Sequence, residues 1–129
     1  MISDFFKRLK LSDFVTDKFV VLMFAAGVGV NGYLWHYLRV SIDPSNAFAT
    51  LHFTASFGID LIGNAVDIYN IYYAALLFSI INLFFARLAY NYDIFSSYIL
   101  ISLIPLLNAI MLFNGYMTVA INSQVLYKL

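Results

Sequence analysis

An all-α integral membrane fold with three transmembrane helices is predicted by three long uncharged runs and by the composition of the chain. The runs cover residues 19–38, 68–86 and 94–127. A bilayer core of about 30 Å needs roughly 20 apolar residues, since a helix rises about 1.5 Å per residue, and each run reaches or approaches that length. Hydrophobic residues make up 63% of the chain and charged residues 11%, whereas about 25% of a typical soluble domain is charged. Lipid is therefore expected to cover part of the apolar surface.

The 129 residues predict a single membrane domain with one long connection between spans. The third uncharged run is longer than one crossing, so we place its span within it, with a kink near Pro105 and a looser outer end at Asn114 and Gly115. The predicted order is an interfacial lead-in at 1–18, a first span at 19–38, an outer loop at 39–67, a second span at 68–87, a third span at 95–118 and an outer tail at 119–129.

The N-terminal segment has the pattern of an amphipathic helix. In a helical projection of residues 1–18, Phe and Leu side chains lie near one another while Lys7, Arg8 and Lys10 stay accessible to water, which suits a helix lying at the lipid headgroups. Two other interpretations stay open. Ser12 and Asp13 cap a helix that runs directly into the first span, or the segment is the charged flank of a retained signal anchor. A cleaved signal peptide is disfavoured, because its apolar region would be only about 7–15 residues long.

The basic residues predict a multi-pass cell-membrane protein with a cytoplasmic N-terminus and an external C-terminus. Lys and Arg near the ends of spans favour the cytoplasmic side. With three spans, Arg39 and Lys128 lie on one side and the other five basic residues lie on the opposite side. Those five are Lys7, Arg8, Lys10, Lys18 and Arg87.

Small and amide residues in the spans predict close helix packing. Ala25 and Gly29 are four residues apart, with Gly32 following, and small residues at this spacing let a second helix approach closely. Asn31 and Asn108 lie at matching depths, about 18–20 Å from the cytoplasmic ends of their helices. We expect these amides to form interhelical hydrogen bonds, and a polar lining of a pore is the alternative. No Asp, Lys, Arg or His lies in the middle of a span, so the parts of a proton relay are missing.

The long connection predicts a short β-hairpin. Residues 47–57 alternate between apolar and polar side chains, which is typical of a half-buried strand. We expect its partner strand at 37–42, joined through a type I turn at residues 43–46, where Pro44 is at the second position. A short interfacial helix beginning near Ser45 is the alternative. At residues 57–63, two glycines on either side of Asp60 predict a tight bend or a re-entrant piece.

His52, Phe57, Gly58, Asp60 and Gly63 form the pattern His-x4-Phe-Gly-Ile-Asp-x-Ile-Gly between the first span and the two later ones. In this pattern the chain resembles a group of small bacterial three-span membrane proteins with no assigned activity. The resemblance covers the middle and C-terminal two-thirds of the chain and implies an outer loop of shared shape. The chain departs from the group at residues 64–66, where Asn-Ala-Val replaces the usual Pro and aromatic residues.

These observations lead to three possible function classes, of which the first is preferred. In the first class, the chain is an interaction or accessory subunit of a membrane assembly, with lipid and a second copy or another membrane protein as partners. The alternative is an oligomeric channel or small-solute transporter. The third class is a metal-binding or enzymatic protein that uses His52, Asp60 and Asp67, whose spacing matches no known metal-ligand signature. No cofactor is predicted, no basic patch suggests a nucleic-acid partner, and the absence of cysteine excludes disulfides and thiolate sites.

Overall fold

A computed structural model describes residues 11–45, 48–54 and 58–126 of the chain, and within these it is mostly helical. Three helices are long and apolar enough to cross a membrane. The second of them begins as a 3₁₀ helix, at Ala65–Tyr69. The elements in chain order are α1 (Leu11–Thr16), α2 (Lys18–Ser41), β1 (Ala49–Thr54), β2 (Gly58–Gly63), the 3₁₀ helix, α3 (Asn70–Ala89) and α4 (Ile94–Leu126).

Helix α4 holds the bundle together. Helices α2 and α3 each pack along α4, and they contact each other much less. Ile101, Ile104 and Asn108 of α4 are almost completely buried between them. Most other long side chains on the three helices are exposed, as expected where lipid rather than a protein core would cover them.

The bundle has two apolar clusters, one near each end. At the end that carries the hairpin, Leu34 and Leu38 of α2 pack on Ile68 and Ala75. Trp35 packs there against Tyr72 with tilted rings, whose centroids are 4.8 Å apart. At the opposite end, which we call the Asp17 end, the buried residues are Phe14, Val20, Ala86, Ile101 and Ile104.

Helix α2 begins after a break at Asp17. The Asp17 side chain accepts hydrogen bonds from the backbone N–H groups of Phe19 (2.9 Å) and Val20 (3.3 Å), which satisfies donors that have no partner inside the helix. Ser12 and Asp13 lie inside the separate helix α1. The interpretation in which they cap a helix continuous with the first span is therefore wrong, because the cap is Asp17. The lead-in before residue 11 lies outside the described residues.

The predicted hairpin is present, but the predicted partner strand is wrong. Strand β1 pairs antiparallel with β2, with Ala49 opposite Gly63 and irregular register on both sides of His52. Residues 37–41 belong instead to α2, which continues through Ser41, because Leu38 and Ile42 are buried against the hairpin-end cluster. The segment predicted as a bend or re-entrant piece supplies the partner strand. In the connection before β1, Asp43 accepts hydrogen bonds from the backbone N–H (2.9 Å) and hydroxyl (2.7 Å) of Ser45.

Helix α4 is longer than the third span predicted at 95–118. It continues through Pro105 and Gly115 to Leu126, so most of the predicted outer tail is helical. Gly115 is a packing position rather than a loose end, since a methyl group there would lie 2.9 Å from Cδ1 of Leu34. Near its end, Asn122 accepts a hydrogen bond from the Thr50 N–H (2.7 Å) and donates one to the Thr50 carbonyl (2.9 Å). This amide fastens β1 to α4.

Candidate functional site

A cavity of about 290 Å³ lies where α2 and α3 diverge, and α4 forms its back wall. Only three of its eleven lining residues are Asn or Ser, and none carries a charge. Exposed residues of both diverging helices, among them Val28 and Ile80, line it as well. The cavity is therefore an apolar recess with a few polar groups, as is typical of sites for small molecules.

Asn108 joins all three long helices at this cavity. Its Nδ2 atom donates a 2.9 Å hydrogen bond to the carbonyl of Gly27 on α2, and its Oδ1 atom accepts a 3.2 Å hydrogen bond from the Ser79 hydroxyl on α3. The single Ser79 hydroxyl proton is shared with the carbonyl of Ala75, which lies 2.8 Å from the hydroxyl oxygen. Only 1% of the Asn108 surface is exposed. The sequence singled out this amide, and the structure places it at the point where the helices meet.

Asn31 lines the same cavity and has a free donor. The residue is 7% exposed, and its Nδ2 atom is buried with no hydrogen-bond partner among the described residues. Leaving such a group unsatisfied costs about 1–3 kcal/mol. Asn31 and Asn108 both lie about 20 Å from the first residues of their helices, so the two amides share one level of the bundle. Asn108 is hydrogen-bonded to both other helices, whereas the Asn31 donor has no partner among the described residues.

The glycines of α2 lie on two different surfaces of the helix. A methyl group on Gly27 would overlap Cγ2 of Ile104 and lie 3.5 Å from the Pro105 nitrogen, whereas nothing lies within 4 Å of a methyl group built on Gly29 or Gly32. Ala25 is exposed on the same side as Gly29 and Gly32. We call these three residues the small-residue face. They make no close packing contact in the described chain, so their predicted role in helix packing concerns another chain and stays a prediction.

A hydrogen-bonded cluster closes the Asp17 end. The Oδ2 atom of Asp17 accepts hydrogen bonds from the hydroxyls of Tyr90 (2.8 Å) and Tyr98 (2.7 Å), which follow the end of α3 and begin α4. Partial burial raises the pKa of Asp17, but the hydrogen bonds from Tyr98, Tyr90 and the backbone lower it more, so the pKa lies below its usual value. The same hydrogen bond to Asp17 raises the pKa of Tyr90 to about 12.

Beside this cluster, the guanidinium of Arg87 lies over the ring of Phe14, 5.6 Å from its centroid. Its nitrogen atoms are buried, and no described residue accepts a hydrogen bond from them. The contact is a cation–π interaction. It holds Arg87, in the last turn of α3, against α1.

The described residues of the predicted outer-loop site lie in β2 and at the start of the 3₁₀ helix, and their role as a site stays a prediction. Gly63 ends β2 beneath Leu51, and a methyl group there would overlap the Leu51 side chain. The Asp67 carboxylate accepts a 3.2 Å hydrogen bond from the Asn64 N–H at the start of the 3₁₀ helix. Gly58 begins β2, opposite Thr54. Phe57 and the side chains of His52 and Asp60 lie outside the described part of the structure.

No group of three or more His, Cys, Asp or Glu residues that could hold a metal ion occurs in the described part of the chain. The hydrogen-bonded cluster of Asp17, Tyr90 and Tyr98 lies at a helix end, away from the cavity. The cavity itself is lined by amide, hydroxyl and apolar groups.

Several residues that matter in the structure were not identified from the sequence. Asp17 carries a signal, since an Asp just before an apolar run is a preferred helix cap. Ser79 and Asn122 carry a weaker signal as polar residues in or near an apolar helix. The preference for Gly27 over Gly29 as the internal contact has no signal in the sequence, because both lie among apolar residues.

Comparison of the chain with protein-family models, with curated proteins and with solved structures found no match. The resemblance suggested by the pattern from His52 to Gly63 therefore stays a prediction.

Proposed function

We propose that the chain is a multi-pass membrane protein that works as an interaction or accessory subunit, and that it binds another membrane helix through the small-residue face of α2. The membrane placement is supported by three helices long and apolar enough to span a bilayer and by the many large apolar side chains on their surfaces. The five-to-two distribution of basic residues supports a cytoplasmic N-terminus.

The observation that carries the interaction proposal is the contrast among the glycines of one helix. The space beside Gly27 is occupied by Ile104 of the same chain, whereas the space beside Gly29 and Gly32 is open. Together with Ala25, these two glycines lie at positions i, i+4 and i+7, which form one face of a helix. In lipid, helices associate by close van der Waals packing rather than by burial from water, so an open face of small residues is the surface that a second helix fits.

The occupant that we propose is a second copy of the chain. The small-residue face carries no charge, so two copies can present it to each other without burying an unpaired charge. A twofold pair places the same patch on both sides of the contact and closes without exposing a further interface. The cavity and its amides lie inside one chain and need no partner to form.

Native mass spectrometry from lipid particles tests the proposal. We expect a discrete dimer for the unaltered chain and a monomer for Gly29→Ile and Ala25→Ile, which place a branched side chain on the face. Ala109→Ile is the matched control, because Ala109 is exposed on α4, and it should remain dimeric. A monomer from the unaltered chain, or dimers that persist in both face variants, would contradict the proposal.

A further inference from the structure

The cavity between α2 and α3 combines a shape and a chemistry that the small-residue face does not use. Its volume is about 290 Å³, close to the lower limit of about 300 Å³ for small-molecule sites. Its walls include Ile80 of α3 and Ile104 of α4, with Tyr72 at the hairpin side. Because α2 and α3 contact each other little, the recess faces the space between them, where lipid would lie.

Asn31 restricts the kind of molecule that would fit. Its Nδ2 donor is buried and has no partner among the described residues, while the amide of Asn108 at the same cavity is bonded to Gly27 and Ser79. Asn31 lines the cavity, so rotation of its amide about χ2 would bring this unused donor to a ligand oxygen there. No Lys, Arg, His or Asp lines it, so a charged ligand would meet no counter-charge.

Neither of the simplest occupants fits both features. One water molecule occupies about 30 Å³, roughly a tenth of the volume, and most of the wall offers it no hydrogen bond. A saturated acyl chain would fill the apolar space, but it has no oxygen to accept a hydrogen bond from Asn31. A compact apolar molecule with a neutral acceptor oxygen would both fill the apolar space and accept a hydrogen bond from Asn31.

We propose that this cavity binds a neutral, lipid-soluble carbonyl compound of the size of a single quinone ring, whose oxygen accepts a hydrogen bond from Nδ2 of Asn31. The ring packs against Ile80 and Ile104, and the ligand enters from the lipid between α2 and α3. This inference rests on the membrane placement in the proposed function, but it does not depend on association through the small-residue face.

Trp35 provides a reporter for the test. It is the only tryptophan of the chain, and its ring centroid lies 4.8 Å from that of Tyr72, which lines the cavity. A quinone in the cavity would therefore lie close enough to quench its fluorescence. Quinone dissolved in the surrounding lipid would quench without saturating, so only the saturable part of the signal reports the site.

The experiment titrates duroquinone into the full chain in phosphatidylcholine particles. We expect saturable quenching of Trp35, with an apparent Kd about tenfold higher for Asn31→Leu, as expected for the loss of one hydrogen bond. Asn114→Leu, an exposed amide on α4, should bind as the unaltered chain does. Val28→Phe, which fills part of the cavity, should weaken binding independently of Asn31. Durene, the same methylated ring without oxygens, should not displace duroquinone at equal concentration.

Three results would overturn the inference: no saturable quenching in the unaltered chain, equal binding by Asn31→Leu, or displacement by durene as effective as by duroquinone itself. The Gly29→Ile variant separates this inference from the proposed function. Duroquinone binding should persist in that variant even when it is monomeric. If the dimer persists in both Gly29→Ile and Ala25→Ile, the association proposal fails while the binding result stands on its own.

Discussion

The internal contact at Gly27 can be tested with one added methyl group. In Gly27→Ala the new Cβ would overlap Cγ2 of Ile104, a branched side chain that is 1% exposed and lies next to Pro105. We expect helix α2 to shift away from α4 to relieve this overlap. The same shift would stretch the 2.9 Å hydrogen bond from Asn108 to the Gly27 carbonyl.

Three contributions determine how much Gly27→Ala changes the free energy of unfolding. Overpacking a tight contact costs about 1–3 kcal/mol, and a weakened interhelical hydrogen bond in lipid adds about 0.6 kcal/mol. Replacing Gly by Ala in a helix returns up to about 1 kcal/mol. We therefore expect Gly27→Ala to lower the free energy of unfolding by about 1–2 kcal/mol.

The assay is reversible unfolding by SDS in mixed micelles, at a protein concentration where the chain is monomeric, with Trp35 fluorescence as the signal. Gly29→Ala is the matched control two residues further along the helix. Nothing lies within 4 Å of its new methyl group, so this variant should be as stable as the unaltered chain or up to about 1 kcal/mol more stable. Equal stability of the two variants would refute the packing of α2 on α4 through Gly27.

Three further predictions use the same protein. Replacing Asn108 by Leu should cost about 1–2 kcal/mol in the SDS assay, because it removes hydrogen bonds to both other helices, and an unchanged midpoint would contradict this network. Asp17→Ala should cost about 1 kcal/mol at neutral pH through loss of the helix cap. Since the pKa of Asp17 is lowered in the folded chain, this difference should be full above its ordinary value of 3.8 and shrink as the pH falls below it. The pKa of Tyr90 is raised to about 12, so its hydroxyl stays protonated and hydrogen-bonded to Asp17 below pH 10 and loses its proton as the pH rises through 12. A stability loss in Asp17→Ala that is independent of pH would rule out the cluster. In this cysteine-free chain, Ser45→Cys should react with an impermeant thiol reagent from outside the cell and Asn91→Cys only after permeabilisation, and the reverse pattern would invert the topology.

The helices were predictable from the sequence because their signal is chemical and local. Uncharged runs of sufficient length specify three long apolar helices, and three occur among the described residues. The alternation at residues 47–57 likewise predicted a strand, because that pattern has a period of two. Its partner was misassigned because residues 37–42 carry both the end of a helical apolar pattern and β-branched residues. Burial of Leu38 and Ile42 favours the helix at these residues, and Gly58–Gly63 pairs with β1 instead.

The faces of the helices were not predictable in the same way. In a soluble protein, polar residues mark the outside of a helix, but in lipid the outside is as apolar as the inside, so periodicity carries little information. Gly27 and Gly29 therefore look equivalent in the sequence, although one is filled by Ile104 and the other is open. Asn31 and Asn108 also look equivalent, and only the positions of Ser79 and the Gly27 carbonyl decide which amide is satisfied.

Oxidative cross-linking of single cysteines tests most directly whether two copies meet at the small-residue face. The chain has no native cysteine, so Gly29→Cys and the control Ala109→Cys each introduce one thiol at an exposed position. A disulfide needs Cα atoms within about 4.4–6.8 Å of each other, which only a close helix contact provides. We predict rapid formation of a disulfide-linked dimer in lipid for Gly29→Cys and little for Ala109→Cys. Equal cross-linking at both positions, or faster cross-linking at Ala109→Cys, would contradict association through the small-residue face.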